Sequence, residues 1–114
     1  MTASEREQVT VLEPQGELYE GAECDEMERT LRALSERGAR VVVDVSAAHH
    51  LSARCLGILA HARRRCSERG GSIVLCGASA EHRWLLAKTG LADVLPVLAD
   101  RPAAIRELHE RAVA

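Results

Sequence analysis

The feature that most constrains the fold is a buried strand that leads through a short loop into a helix, within residues 41–59, VVVDVSAAHHLSARCLGIL. The three consecutive valines at 41–43 predict a strand covered on both faces. Asp44 and Ser46 then interrupt the apolar run with side chains suited to a turn. Ser52 stands one residue before a helical pattern, where its hydroxyl can accept from N–H groups of the first turn. The segment is therefore a strand–loop–helix unit whose helix N-terminus attracts anions.

Strands and helices alternate along the rest of the chain. Apolar runs bounded by turn residues predict strands at 9–12, 16–19, 40–45, 72–76 and 95–98. Helical periodicity predicts helices at 22–37, 53–68, 80–88 and from 102 to about 113. Pro96 places the last strand at an edge of the sheet, and Trp84 and Leu85 are the predicted core contacts of the third helix. We expect one α/β domain over residues 1–114, with its core at about 8–113.

Composition argues against several classes of function. The chain has 15 Lys and Arg against 17 Asp and Glu, so its formal charge of −2 gives no drive toward nucleic acid or an anionic membrane. Tyr19 and Trp84 are the only aromatic residues, too few for base stacking. No apolar run approaches the roughly 20 residues of a membrane-spanning helix. The first residues lack the apolar segment of a secretory signal, so we expect a cytoplasmic protein without membrane insertion.

The four cysteines lie far apart, without C-x-x-C pairing, which favours small buried hydrophobes over a metal site. Cys55 falls in the first turn of a helix, just after His49 and His50, so a Cys–His nucleophile is conceivable. Cys55 shares an apolar stripe with Leu59 and Ala62, however, and we expect it to face the core. With no catalytic constellation and no Gly-rich phosphate loop, we expect neither an enzyme nor a cofactor.

An ordered set of short motifs resembles the STAS domain, which sulfate transporters and bacterial anti-sigma-factor antagonists share. The matching pieces are GEL at 16–18, VVVDVS at 41–46, LGIL at 56–59, GGSIVL at 70–75 and TGL at 89–91. They cover nearly the whole chain in the right order. The resemblance implies a single STAS-like domain, a small mixed β-sheet packed against α-helices. It also implies a non-enzymatic protein-interaction module.

In the antagonists that this chain resembles, the helix N-terminus usually carries Asp-Ser-Ser-Gly or a close variant. Its first serine is phosphorylated by a histidine-kinase-like ATPase that is also the anti-sigma factor. The unphosphorylated form captures that ATPase, and phosphate releases it because negative charge appears on the docking surface. When the chain is aligned on Asp44 and on 56–57, Ser52 takes the place of the aspartate and Ala53 that of the acceptor serine. Alanine has no hydroxyl, so phosphotransfer at position 53 is excluded.

Tyr19 also stands where the family commonly has an aspartate, which should alter docking of the kinase. The leading hypothesis is thus an antagonist-like regulator that phosphorylation at the usual position cannot switch. The alternative is an accessory or scaffold subunit of a signalling assembly or of a lipid-transport ATPase, because neither role needs the acceptor serine. The predicted partner-binding residues lie at the second helix: Ser52, Ala53, Arg54, Gly57, His61 and Arg64.

Ser52 and the basic run at 63–65 each allow two interpretations. Ser52 either caps the helix or is a relocated phosphoacceptor, with Arg54 placed to pair with the phosphate. The basic run at 63–65 is either a solvated helix face or part of a surface for an acidic patch on the partner.

Overall fold

In the structure, a computed structural model that describes residues 1–6, 8–18 and 22–113, three strands precede the first helix, two precede the second, and one precedes each of the last two. The strands in these ranges are β1 (Thr2–Arg6), β2 (Val9–Glu13), β3 (Gly16–Leu18), β4 (Arg40–Asp44), β5 (Ala48–Leu51), β6 (Ser72–Cys76) and β7 (Val97–Leu98). The helices are α1 (Ala22–Glu36), α2 (Ala53–Glu68), α3 (Ala80–Lys88) and α4 (Arg101–Val113).

Five of the strands form a mixed sheet in the order β1-β2-β4-β6-β7. β1 pairs with β2 in antiparallel fashion, and the remaining neighbours are parallel. In the centre, Val42 lies opposite Val11 on one side and Val74 on the other. β3 and β5 form a separate parallel pair. The predicted α/β class, with a small mixed sheet and helices, is confirmed.

The sheet is covered on both faces, as the three valines predict. Val41 and Val43 are fully buried in a cluster that includes residues of α1 and α2. Val42 is also fully buried, but in a second cluster with Ala104 and Leu108 of α4. Alternate side chains of a strand point to opposite faces, so α1 and α2 cover one face and α4 covers the other.

Several sequence predictions agree with the structure. All four cysteines are buried, and each is present as a thiol. β7 lies at the edge of the five-stranded sheet, where Pro96 placed it, although it is shorter than the predicted strand at 95–98. Gly38, just after α1, adopts a φ of 63°, the left-handed conformation that ends a helix.

Trp84 corrects the predicted core. Its side chain is 60% exposed, and the ammonium of Lys88 lies 4.7 Å from the ring centroid. The buried residues of α3 are His82 and Leu86, while Leu85 packs partly buried against the core. Apolar residues at 84–86 occupy three consecutive positions and so cover most of the helix circumference. Periodicity therefore could not show which of them faces inward.

Two strands were not predicted. β1 occupies the polar segment TASER, and β5 lies in the stretch interpreted as a short loop before α2. β1 is an edge strand, so it needs little apolar patterning. The prediction of a strand at 16–19 holds for Gly16–Leu18, whereas Tyr19, with its proposed effect on docking, lies outside the described residues.

Candidate functional site at the start of helix α2

The turn after β4 is built by Asp44. One carboxylate oxygen of Asp44 accepts hydrogen bonds from the Ser46 backbone N–H at 3.0 Å and from the Ser46 hydroxyl at 2.7 Å. This is the side-chain turn that the sequence suggested. The chain then runs through β5, which pairs with β3, and reaches Ser52 at the start of α2.

Ser52 is the N-cap of α2. Its backbone is extended, with φ −85° and ψ 163°, and its hydroxyl accepts from the Cys55 backbone N–H at 3.1 Å. The Ser52 carbonyl also accepts from the Leu56 N–H at 3.1 Å. The predicted cap is therefore present in the structure. A cap of this kind stabilises a helix by about 1 kcal/mol relative to alanine.

Ala53 and Arg54 are the two exposed residues that begin α2. The Arg54 guanidinium donates to Asp25 of α1 at 2.9 Å, so it links the first turns of the two helices. Arg54 was predicted to be ready to pair with a phosphate on Ser52; in the structure it already holds a carboxylate.

Four of the predicted partner-binding residues share one face of α2. Arg54, Gly57, His61 and Arg64 are all exposed and follow one another at spacings of three, four and three residues. Such spacing places them in a stripe along the helix. The stripe lies nearly opposite the buried one, formed by Cys55, Leu59, Ala62 and Cys66. The structure thus brings the predicted set together on one surface, next to Ser52 and Ala53.

A groove of about 300 Å³ runs between α1 and α2 beside this stripe. Its lining includes Leu31 of α1 and the α2 residues Gly57, Ile58 and Ala62. Charged and polar side chains from both helices also line it: Glu28, Arg32, Arg54, His61 and Arg65. The groove therefore offers apolar surface surrounded by more positive than negative groups.

The basic run at 63–65 does not form one solvated face. Arg64 is exposed and lies 3.7 Å from Glu68, one turn further along α2. Arg65 is half-buried and lies 3.8 Å from Glu36 of α1. Arg63 is also half-buried, and its Nε is buried without a hydrogen-bond partner. Only Arg64 of the three thus matches the solvated interpretation in full.

A charged cluster under the same end of the sheet escaped the sequence analysis. Arg101, the first residue of α4, donates to Asp44 at 2.9 Å and 3.1 Å and to Glu13 at 2.6 Å. Glu13 and Asp44 end the neighbouring parallel strands β2 and β4, which was the available signal. Burial alone would raise the pKa of Asp44, but hydrogen bonds from Ser46 and Arg101 outweigh it and lower that pKa.

The histidines before α2 are exposed or partly exposed. His50 pairs with Glu81 of α3 at 3.1 Å, and His49 is exposed. Cys55 is fully buried, as its place in the apolar stripe predicts. Among the described residues, no group of three His, Cys, Asp or Glu side chains could hold a metal ion. Within the same part of the chain, no helix is both long enough and apolar enough to cross a membrane.

Comparison with known proteins agrees with this architecture. The STAS domain family model matches residues 1–104. No curated protein sequence gives a significant match. A putative anti-sigma factor antagonist from Thermotoga maritima superposes with a TM-score of 0.83 at 15% identity, covering 95% of this chain and 93% of that one.

Two further structures share the fold. An anti-sigma-factor antagonist STAS domain protein from Planctomyces limnophilus has a TM-score of 0.78 and 19% identity, over 94% of this chain and 95% of its own. The phosphorylated Bacillus cell-fate determinant SpoIIAA has a TM-score of 0.71 and 15% identity, over 93% and 97%. At such identities the likeness concerns the fold, while the family match covers most of the sequence. The chain therefore belongs to the STAS domain family.

Proposed function

We propose that this protein is a non-enzymatic regulatory module of the bacterial cytoplasm that docks a partner protein on the exposed face of α2. The partner is a histidine-kinase-like ATPase anti-sigma factor or a related regulator. The proposal is supported by membership of the STAS family and by the fold shared with anti-sigma-factor antagonists. It is also supported by the exposed stripe of Arg54, Gly57, His61 and Arg64, which continues from Ser52 and Ala53.

The exposed position of Ala53 is the observation that carries the proposal. SpoIIAA has been solved in phosphorylated and unphosphorylated forms. At the position that we align with the family's acceptor serine, this chain offers no hydroxyl. The neighbouring hydroxyl of Ser52 is engaged as the helix cap at 3.1 Å. We therefore propose that the docking surface stays in its unphosphorylated state.

Charge indicates what the partner presents. Arg54 and Arg65 are each paired with a carboxylate of α1, whereas Arg32 and His61 add exposed cationic or titratable groups at the groove. A partner segment with acidic side chains around an apolar centre would complement this surface. Ion pairs between this surface and the partner would lie mostly at the rim of the interface. They should therefore favour fast association more than high affinity.

Calorimetric titration with the host's histidine-kinase-like ATPase, in ATP and in ADP, tests the proposal. We expect binding that depends on the nucleotide and that persists through prolonged incubation with ATP. Gly57→Arg, which fills the groove with a charged chain, should weaken binding at least tenfold without lowering Tm. The control is Arg106→Ala on α4, on the other side of the sheet, which should bind normally. The absence of binding both in ATP and in ADP would contradict the proposal.

The same titration, repeated with a transport ATPase of the host, tests the alternative role. An accessory or scaffold subunit would also do without the acceptor hydroxyl, so Ala53 suits it as well. Such a subunit should bind its assembly regardless of which nucleotide is present. Binding to a transport ATPase with no nucleotide dependence would therefore assign the docking surface to that role.

A further inference from the structure

Two cysteines from different helices meet beneath the candidate docking surface. Cys24 lies in the first turn of α1 and Cys55 in the first turn of α2, and their sulfur atoms are 3.0 Å apart. Both side chains are fully buried. A disulfide has an S–S length of about 2.0 Å, so an approach of about 1 Å would complete the bond.

A second contact holds the same two turns together. Asp25 directly follows Cys24 in the sequence, and Arg54 directly precedes Cys55. These two residues form the ion pair at 2.9 Å. Relative movement of the two turns is thus restrained by groups outside the sulfur pair. The short sulfur–sulfur distance is therefore part of a wider contact between the two helix N-termini.

The other two cysteines have different surroundings. The Cys66 thiol donates to the carbonyl of Ala39 at 2.8 Å. Cys76 belongs to the core cluster on the α4 face of the sheet, whereas Cys24 and Cys55 belong to the opposite cluster. Cys24 and Cys55 are therefore arranged for a disulfide bond, and the thiols of Cys66 and Cys76 provide internal controls.

We propose that Cys24 and Cys55 are a site of oxidative modification, at which a peroxide closes an intramolecular disulfide between α1 and α2. With hydrogen peroxide, the two S–H bonds and the O–O bond break and one S–S bond forms. The sulfur atoms are oxidised, the peroxide is reduced, and the two protons leave in two molecules of water. The modification is independent of the proposed docking role, since it needs no partner protein.

The surroundings predict a slow reaction. Burial and the hydrogen bond with Cys55 raise the pKa of Cys24 to about 12, so this thiol keeps its proton at neutral pH. The thiolate is the reactive form, and the buried sulfur atoms are reached only when the structure opens locally. We therefore expect the disulfide to form over hours rather than seconds, and to resist reduction once it is closed.

The experiment is peptide mapping of the wild-type protein after incubation with hydrogen peroxide and alkylation of the remaining thiols. Trypsin releases each cysteine in a separate peptide, within residues 7–29, 55–63, 66–69 and 70–83. We expect an intact mass lower by about 2 Da, before alkylation, and a cross-link between the first two peptides. Closing a loop of this length should raise Tm by on the order of 10–15 °C.

Variants sharpen the result. The double variant Cys66→Ala and Cys76→Ala should still form the cross-link, and Cys24→Ala or Cys55→Ala should abolish it. Because the wild-type peptide map needs no substitution, the proposal stays testable if a variant fails to fold. Oxidation to sulfinic acid in place of the cross-link would overturn the proposal. A cross-link that includes Cys66 or Cys76, or full alkylation of both Cys24 and Cys55 after prolonged oxidation, would also overturn it.

Discussion

Gly57 occupies an exposed position inside α2, where glycine is a poor helix former. A Cβ atom added to Gly57 would meet no atom within 4 Å, so the packing of the fold does not require glycine there. The residue instead lines the groove between α1 and α2. Because packing does not require glycine there, we propose that this residue serves docking rather than folding.

Substitution of Gly57 should therefore stabilise the protein. Gly57→Ala should raise the free energy of unfolding by about 0.5–1 kcal/mol, because alanine is the better helix former and finds free space. Chemical denaturation measures this change. The matched control is Gly38→Ala, whose Cβ would lie 2.3 Å from the Arg69 carbonyl at a φ of 63°. That variant should lose stability, and a loss of stability in Gly57→Ala would show that the packing there is tighter than described.

Trp84 gives a second test at a single residue. Trp84→Ala should cost no more than about 1 kcal/mol, since the exposed ring loses chiefly its contact with Lys88. Leu86→Ala, at a residue that is 2% exposed on the same helix, should cost about 2–4 kcal/mol. Urea denaturation compares them. A larger loss of unfolding free energy in Trp84→Ala than in Leu86→Ala would indicate that Trp84 belongs to the core.

At the scale of elements, the Arg101 cluster fixes the start of α4 against the ends of β2 and β4. A cation at a helix N-terminus is unfavourable by itself because the helix dipole is positive there. The carboxylates of Glu13 and Asp44 compensate by accepting three hydrogen bonds from the guanidinium. The cluster therefore couples the placement of α4 to the charges of the two carboxylates at the ends of β2 and β4.

Removal of Arg101 should be costly. Arg101→Met leaves the largely buried carboxylate of Asp44 without its cation, and should lower the free energy of unfolding by about 2–3 kcal/mol at pH 7. Arg106→Met, at an exposed position of the same helix, should change it by less than about 0.5 kcal/mol. Equal effects of the two substitutions would mean that the cluster contributes nothing.

The pH dependence of stability follows from the same cluster. The folded state lowers the pKa of Asp44 below its ordinary value of 3.8, so the unfolded chain takes up the proton first as pH falls. The stabilisation is fully present above about pH 4 and disappears as pH drops through the lower folded value. Denaturation curves from pH 7 to pH 2 should show this loss, and the loss should be smaller in Arg101→Met. An unchanged profile in that variant would contradict the coupling.

Helices and strands with a strong apolar periodicity could be predicted from the sequence. Strands that form only by pairing with a neighbouring strand could not. The valines of β4 and the apolar stripe of α2 carry their own signal. β1 and β5 carry little, because each gains its identity from pairing with β2 or β3. The candidate site divides in the same way. Ser52 and the exposed stripe follow from spacing along one helix, whereas the contacts of Arg54 with Asp25 and of Arg101 with Asp44 join distant segments.

At the scale of the molecule, the fold places one helix N-terminus where a partner can reach it. α4 covers one face of the sheet, α1 and α2 cover the other, and the groove between α1 and α2 remains open. We propose that this STAS domain keeps the docking surface of the antagonists and lacks the acceptor that releases a partner.

Mass spectrometry after incubation with the host's histidine-kinase-like ATPase and ATP tests that proposal at its decisive residue. The wild-type protein should gain no phosphate within residues 46–57, and Ala53→Ser should gain about 80 Da at position 53, because the substitution restores the acceptor hydroxyl at an exposed position. Ser52→Ala, made in the Ala53→Ser background, serves as the control for phosphate on the cap. A stoichiometric phosphoform of the wild-type protein mapped to Ser52 would contradict the proposal that the surface cannot be switched.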